Sequence, residues 1–128
     1  MPSQPPRPTD SELEILAVLW TTGPATVRQV YEVISRRRPA QYSTVLKFMQ
    51  IMAEKGLLLR DVEQRAHVYE AAQSREWTQQ RLAGHLLSRA FSGSAKALMI
   101  GALSAKKTTK AELAELRKLL AEYAKGAK

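Results

Sequence analysis

The sequence predicts a mainly α-helical protein with a small β-hairpin, organised as a winged helix-turn-helix with further helices behind it. Two capping-box patterns, at Thr9 and Thr26, each open a short amphipathic stretch. A third helical stretch opens at Tyr42 and stops at Gly56, and a β-favouring segment from Leu57 to Glu70 follows it directly. Three short helices followed by a hairpin are the parts of a winged helix-turn-helix, in which one helix enters the major groove of DNA.

The first helix is predicted from the capping box of Thr9 and Glu12 to the Gly23-Pro24 break, because apolar residues recur at helical spacing between them. A second helix is predicted to begin at Thr26, to continue through the basic run Arg36 to Arg38, and to stop before Pro39. Its buried stripe consists of Val27, Val30, Tyr31 and Ile34.

The third helix is predicted over about Ser43 to Lys55, and its inward face carries Val45, Phe48, Met49 and Met52. The hairpin is predicted as a strand at Leu57 to Leu59, a polar reversal at Glu63 to Ala66, and a return strand at His67 to Tyr69.

Three further helices are predicted: one capped by Ser74 and ending near Phe91, an apolar one over about Ala95 to Ala105, and a last one capped by Thr109. They carry more apolar surface than so small an extension can bury alone, and two copies can bury it in a two-fold interface. The alternative is that they fold back on the winged helix. The predicted dimerisation residues are Phe91, Leu98, Leu103, Leu113, Leu116, Leu120 and Tyr123.

At 128 residues, the chain is long enough for one compact domain with an appended helical part. We predict a proline-rich flexible arm over residues 1–8, a winged-helix DNA-binding domain over 9–73, and a helical dimerisation region over 74–128. No apolar run approaches the roughly 18 residues of a membrane-spanning helix, and Met1 to Asp10 lacks the apolar stretch of a signal peptide. We therefore expect a cytoplasmic protein without direct membrane insertion.

The formal net charge of +8 favours a polyanionic partner, and the segment from Arg28 to Arg65 is locally +4. Residues on the outward face of the third helix are small or polar hydrogen-bonding groups: Ser43, Thr44, Lys47 and Gln50. The Thr44 methyl group can contact thymine, Lys47 can reach guanine, and Gln50 can pair with adenine. Taken alone, this face is equally compatible with a solvated helix surface, but the hairpin that follows favours DNA binding.

Other candidate DNA contacts flank this helix. Tyr42 opens it, and Arg28 stands near the start of the second helix, where phosphates gather. Arg60, Arg65 and His67 in the hairpin can approach the backbone or the minor groove, with Arg65 at the tip as the best candidate. The alternative is that these charges keep an exposed edge soluble. The Arg36 to Arg38 run is interpreted as a solvated helix end.

The sequence indicates no enzyme, cofactor or metal site. Cysteine is absent, which excludes disulfides and cysteine-based clusters. His67 and His85 are the only histidines, and no metal-ligand spacing, phosphate-binding glycine loop or nucleophile elbow is present.

Several fragments, in this order and spacing, resemble the penicillinase-repressor family of BlaI/MecI-type winged-helix repressors. They begin at Glu12, Leu19, Thr26, Tyr42, Glu54 and Arg65, and read ELEIL, LW, TV with VY, YSTV, EKGL and RAHVY. The resemblance spans nearly the whole chain. It implies a homodimer formed by the C-terminal helices, a winged helix that binds a palindromic operator, and repression of an inducible operon, often one for antibiotic resistance or cell-envelope stress.

The resemblance also implies a route of release. Members of the family are commonly cleaved in the dimerisation region after a membrane-bound metalloprotease sensor responds, and alignment places that bond near Gly101-Ala102. Gly-Ala stands here where well-known members have Asn-Phe, and Lys47 replaces the second threonine of the recognition motif. The copper-responsive branch has a cysteine-rich tail that this chain lacks.

The sequence therefore predicts a homodimeric, sequence-specific DNA-binding repressor whose operator is an inverted repeat with half-sites about 10 bp apart or a multiple of that. Two alternatives remain open. One is a winged-helix protein-interaction module that docks its basic tail on an acidic partner, and the other is a non-specific DNA-binding protein.

Overall fold

The protein is described by a computed structural model that covers residues 5–127. Within that range the structure has six helices and a small antiparallel sheet, which confirms the predicted mainly α winged helix-turn-helix fold. The elements are α1 Asp10–Thr22, β1 Ala25–Thr26, α2 Val27–Ser35, α3 Tyr42–Glu54, β2 Leu58–Asp61, β3 Val68–Ala71, α4 Arg75–Ala90, α5 Ala95–Ala105 and α6 Lys110–Gly126.

The chain divides into two compact units, one up to Leu82 and one from Ala83. This division falls inside α4. The boundary between a DNA-binding part and a dimerisation part at residues 73–74 stays a prediction. Residues 1–4 of the predicted arm lie outside the described residues. Arg7 and Pro8 have no regular secondary structure and line a small cleft with Leu16 and Trp77.

Both predicted capping boxes form. The Thr9 hydroxyl accepts a hydrogen bond from the Glu12 amide (3.2 Å), and the Glu12 carboxylate accepts one from the Thr9 amide (3.0 Å). Thr26 and Gln29 exchange the same two bonds at the start of α2. These bonds satisfy amides that have no partner inside the helix, so the local sequence fixes where each helix begins.

The predicted end of α2 is wrong. The helix stops at Ser35, and the amides of Arg37 and Arg38 both turn back to the carbonyl of Ile34 (2.9 and 3.1 Å). Pro39 disfavours helical backbone only at Arg38, the residue before it, and so does not account for the end at Ser35. The basic run therefore lies in the connection between α2 and α3.

The sheet has three strands in the order β1-β3-β2. The sequence predicted only the hairpin and missed β1, in which Ala25 pairs with Tyr69 and Thr26 with Val68. Two residues are too few to show the alternation of apolar and polar side chains by which a strand is predicted. Ala25 and Thr26 form a strand only because they pair with the edge of β3. The hairpin itself is displaced towards later residues, because β3 covers Val68–Ala71 and not His67 to Tyr69.

The core fixes α3 relative to the sheet. Met49 and Met52 from α3, Val30 from α2 and Tyr69 from β3 are almost completely buried. Val45 is buried as predicted, whereas Phe48 and Tyr31 are half-buried at the edge of the core. The opposite face of α3 is thereby left exposed.

Helices α4 and α6 begin at their predicted caps, Ser74 and Thr109, and α5 begins after Ser94, a cap that was not predicted. The hydroxyls of Ser74, Ser94 and Thr109 each accept a hydrogen bond from an amide in the first turn of α4, α5 and α6. No residue of α5 or α6 is buried. None of the helices between residues 5 and 127 combines the length and apolar content that crossing a lipid bilayer requires.

Candidate nucleic-acid interface

One cleft of the first unit brings together five of the nine predicted DNA-binding residues. Its volume is about 250 Å³, and it lies between the start of α2, one side of α3 and the connection that leads into β3. The five predicted residues that line it are Arg28, Tyr42, Gln50, Arg65 and His67. Since they come from three separate segments, the winged-helix fold is what makes them neighbours.

The Arg28 guanidinium lies over the ring of Tyr42, which lines this cleft, and near the ring of Tyr31, which does not line it. Its carbon is 4.7 Å from the ring centre of Tyr42 and 5.9 Å from that of Tyr31. The two rings meet edge to face, with centres 5.7 Å apart and planes at 77°. Such stacking holds a guanidinium in place while its in-plane N–H groups remain suited to binding phosphate.

Tyr31 is a site residue that the sequence analysis missed. It was assigned to the buried stripe of α2, but it is half-buried and supports both Arg28 and Tyr42. The available signal was the spacing of Arg28 and Tyr31, which places them on neighbouring turns of one helix face.

The outward face of α3 divides into two adjoining parts. Gln50 lies on the side of the cleft, whereas Ser43, Thr44 and Lys47 line a second groove of about 470 Å³. Phe48 and Ile51 complete that groove. The groove thus combines hydroxyl and ammonium donors with apolar surface, which suits both the polar edges of bases and the methyl group of thymine.

The start of α3 carries Ser43 and Thr44, which line the second groove. The amides of Thr44 and Val45 both bond to the carbonyl of Gln41, each at 3.2 Å, and the Gln41 side chain makes no cap hydrogen bond. The start of the helix therefore carries the positive end of the helix dipole beside Ser43 and Thr44, which favours phosphate.

Of the three hairpin residues predicted to contact DNA, Arg65 and His67 line the cleft and Arg60 does not. Arg65 and His67 lie in the connection after Asp61, whose carboxylate accepts a hydrogen bond from the Glu63 amide (2.9 Å). Arg60 lies within β2 opposite Tyr69 and is exposed, but it does not line the cleft.

Arg38 differs from the solvated helix end that the sequence suggested. Its guanidinium binds the Glu14 carboxylate of α1, with 3.1 Å between Nε and Oε2, and Nη1 donates to the carbonyl of Pro39 (3.1 Å). The hydrogen bond from Arg38 lowers the pKa of Glu14 and raises the pKa of Arg38 itself. Arg38 thus connects α1 to the segment that leads into α3.

A second ion pair joins α1 to the end of α3. Glu12 is buried and accepts a hydrogen bond from Lys55 Nζ at 2.7 Å. Burial alone would raise the pKa of Glu12, but the bonds from Lys55 and Thr9 outweigh it and hold that pKa below its ordinary value. Two carboxylates of α1, two residues apart, therefore hold the segments on either side of α3.

The predicted dimerisation residues lie in the second unit, from Ala83 onward. Leu103, Leu113, Leu120 and Tyr123 are exposed, and Tyr123 reaches 74% exposure. The remaining three, Phe91, Leu98 and Leu116, are half-buried.

The predicted cleavage residues lie inside a helix. Gly101 and Ala102 are within α5, and a Cβ atom at Gly101 would lie 3.4 Å from Cε1 of Phe91. The glycine therefore lets the Phe91 ring approach the backbone of α5 closely.

Comparison with known proteins agrees with these features. Residues 8–122 match the model of a family described as penicillinase repressor. Two curated relatives, both described as transcriptional regulator BlaI, come from the CDC 1551/Oshkosh and H37Rv strains of Mycobacterium tuberculosis. Each is 41% identical to this chain over 68 residues, which is 52% of this chain and 49% of the relative. The matched part spans about half the length of these relatives. Together the findings confirm the family resemblance seen in the sequence.

Proposed function

Because the chain belongs to the penicillinase repressor family, we propose that it is a transcriptional repressor that binds double-stranded DNA in a sequence-specific manner. The observation that carries the proposal is the convergence of Arg28, Tyr42, Gln50, Arg65 and His67 on one cleft beside the exposed face of α3. The relatives named as transcriptional regulators support the same function.

In the proposed complex, α3 lies in the major groove and its exposed side chains contact base edges. Thr44 meets a thymine methyl group or a phosphate, Lys47 reaches guanine, and Gln50 pairs with adenine. Ser43 binds phosphate at the start of the helix.

The residues around α3 position it on the duplex. Arg28 binds phosphate from its place over Tyr42, and Tyr42 supports that contact. Arg65 and His67 approach the backbone or the adjoining minor groove, while Arg60, outside the cleft, makes a more distant electrostatic contribution.

The repressor acts in this proposal as a homodimer in the cytoplasm. The support is the apolar surface that α5 and α6 leave exposed within the chain. Besides the predicted dimerisation residues, this surface includes Ile100 and Leu119. Two copies related by a two-fold axis bury such a surface reciprocally. The dimer then reads an inverted repeat with half-sites about 10 bp apart, or a multiple of that.

Release by proteolysis at or near Gly101-Ala102, downstream of a membrane metalloprotease sensor, completes the proposal for an inducible operon of antibiotic resistance or cell-envelope stress. Proteases cut exposed, irregular backbone most readily, so α5 must open locally first. A glycine within the helix favours opening, because it is less favourable there than alanine by about 1 kcal/mol.

Fluorescence anisotropy tests the function. The full chain is titrated into a labelled duplex from the promoter of its own operon and into a scrambled duplex of equal length. We expect clear preference for the promoter, and each of Thr44→Ala, Lys47→Ala and Gln50→Ala should remove about 1 to 3 kcal/mol of discrimination. Gln79→Ala, at an exposed position of α4 outside the cleft, is the matched control.

The same titration separates the two alternatives. Equal affinity for both duplexes, with steep salt dependence, would indicate non-specific DNA binding. Absence of binding to either duplex would favour a protein-interaction module. Both outcomes reject a sequence-specific repressor.

A further inference from the structure

Most of the net charge of the chain belongs to the second unit, not to the unit that contains the proposed reading cleft. The unit from Ala83 onward contains nine basic and three acidic residues, a net charge of +6. The unit up to Leu82 contains eleven basic and nine acidic residues, a net charge of +2. Among the described residues, both ion pairs between side chains lie in the first unit, where they engage Arg38 and Lys55. The attraction of this protein for a polyanion therefore originates mainly in its second unit.

Helix α6 sorts this charge onto one side. With about 3.6 residues per turn, four exposed cations fall within a sector of about 100°, and we call them the basic ridge: Lys110, Arg117, Lys118 and Lys125. The apolar sector is centred roughly 140° away around the helix axis and contains Leu113, Leu116, Leu120 and Tyr123. The acidic residues Glu112, Glu115 and Glu122 lie on one flank, outside the basic ridge.

We propose that the basic ridge of α6 binds the phosphate backbone of DNA. The proposal rests on the DNA-binding function proposed above and assigns a large part of its electrostatic attraction to the second unit. The ridge runs from Lys110 to Lys125, a length of about 22 Å, which matches roughly six base pairs of duplex. Lys110 and Arg117 have no acidic neighbour one turn away on α6, whereas Lys118 lines a shallow groove with Glu112, Glu115 and Glu122. A row of four cations along one side of the helix suits a polyanion with regularly repeated charge.

The ridge stays accessible when the apolar sector is covered. A second copy packed on the leucines and Tyr123 occupies the other side of α6, so that four cations per chain still point away from the contact. In this proposal the first unit discriminates between DNA sequences. The basic ridge contributes affinity that is independent of sequence and sensitive to salt.

The test uses the full chain and a variant in which all four ridge cations are changed to glutamine. Binding to the promoter duplex and to the scrambled duplex is measured between about 50 and 200 mM salt. Each lost phosphate contact should reduce the slope of log Kobs against log salt by about 0.9, or by about 3 to 4 per chain if all four cations are engaged. The ratio of the two affinities should stay unchanged. If circular dichroism shows that the quadruple variant loses helicity, the double variant Lys118→Gln/Lys125→Gln replaces it, and the expected reduction of the slope is about half as large.

The control changes four other exposed cations of the same unit to glutamine: Arg89, Lys96, Lys106 and Lys107. The control variant has the same net charge as the ridge variant. If both lose the same amount of slope, the salt dependence follows total charge and not the position of the cations, and the proposal is wrong. An unchanged slope in the ridge variant would overturn it as well. Vesicles of phosphatidylserine and phosphatidylcholine serve as a competing partner. If they bind the chain through the ridge while the DNA slope is unaffected, the ridge is a membrane contact and the proposal fails.

These outcomes are distinguishable from failure of the repressor function itself. Promoter preference that persists with an unchanged slope rejects only the basic ridge. Equal affinity for both duplexes, with a slope that depends on the ridge, rejects sequence-specific repression and leaves the ridge intact.

Discussion

Replacement of Lys55 by methionine should destabilise the winged-helix unit, because it leaves the buried Glu12 carboxylate without its cation. Removal of one partner of a fully buried ion pair costs about 3 to 5 kcal/mol. The Lys55 side chain is 31% exposed and the Thr9 amide still binds the carboxylate, so we expect a smaller loss of about 2 kcal/mol. For a unit of this size that loss lowers Tm by roughly 8 to 12 °C.

Urea unfolding followed by circular dichroism measures this loss, and Glu12→Gln/Lys55→Met provides the control. Because the double variant carries no unpaired carboxylate, it should regain part of the stability that Lys55→Met loses. If Lys55→Met matches the parent chain in its free energy of unfolding, the ion pair does not hold α1 to the end of α3.

The same pair predicts a direction with pH. The pKa of Glu12 is lowered in the folded protein from its ordinary value of 4.5, so its contribution to stability is present above that value. The contribution is lost as the pH falls through the lowered folded-state pKa. The stability difference between the parent chain and Lys55→Met should therefore shrink as the pH falls and Glu12 is protonated, first in the variant, where burial is no longer offset by Lys55. A difference that stays constant as the pH falls well below 4.5 would contradict this reasoning.

Three further predictions concern the interface and the assembly. Arg38→Gln should weaken promoter binding severalfold with little loss of stability, because the ion pair is largely exposed to solvent. Glu14→Arg/Arg38→Glu should recover part of that affinity, and no recovery in anisotropy would refute the pairing. Tyr31→Leu should weaken DNA binding and reduce its salt dependence, because Arg28 loses the ring over which its guanidinium lies. Tyr31→Phe keeps the ring and should bind DNA as the parent chain does. Equal losses of affinity in both variants would exclude a role for the ring contact. Leu116→Asp should give single subunits in sedimentation velocity and weaker promoter binding, because the carboxylate would be buried unpaired between two copies; a persistent dimer would refute the interface.

The elements that sequence predicted well are those set by local chemistry. Thr9 and Thr26 satisfy amides within three residues, and α5 has the bounds that its apolar run indicates. The inward face of α3 follows from helical spacing, so burial of Val45, Met49 and Met52 was predictable. In each case the deciding interactions lie within one or two turns of the chain.

The features that sequence missed depend on contacts between distant segments. Strand β1 exists because the edge of β3 is available to it, and Arg38 binds a carboxylate 24 residues away. No local pattern encodes either contact. The later position of β3 has the same origin, because its register is set by pairing with both β1 and β2.

The two ion pairs of α1 hold α3 unequally, and this has a consequence for the reading surface. Lys55 binds a buried carboxylate, whereas the Arg38 side chain is 51% exposed, so its pair with Glu14 contributes little to stability and is screened by salt. The end of α3 near Lys55 is therefore the firmly held one, and the end that carries Ser43 and Thr44 is the adjustable one. Because high salt weakens both phosphate contacts and the Arg38 pair, the salt dependence of specific binding has two sources. Glu14→Gln separates them, since it removes the pair and leaves every proposed phosphate-binding cation in place.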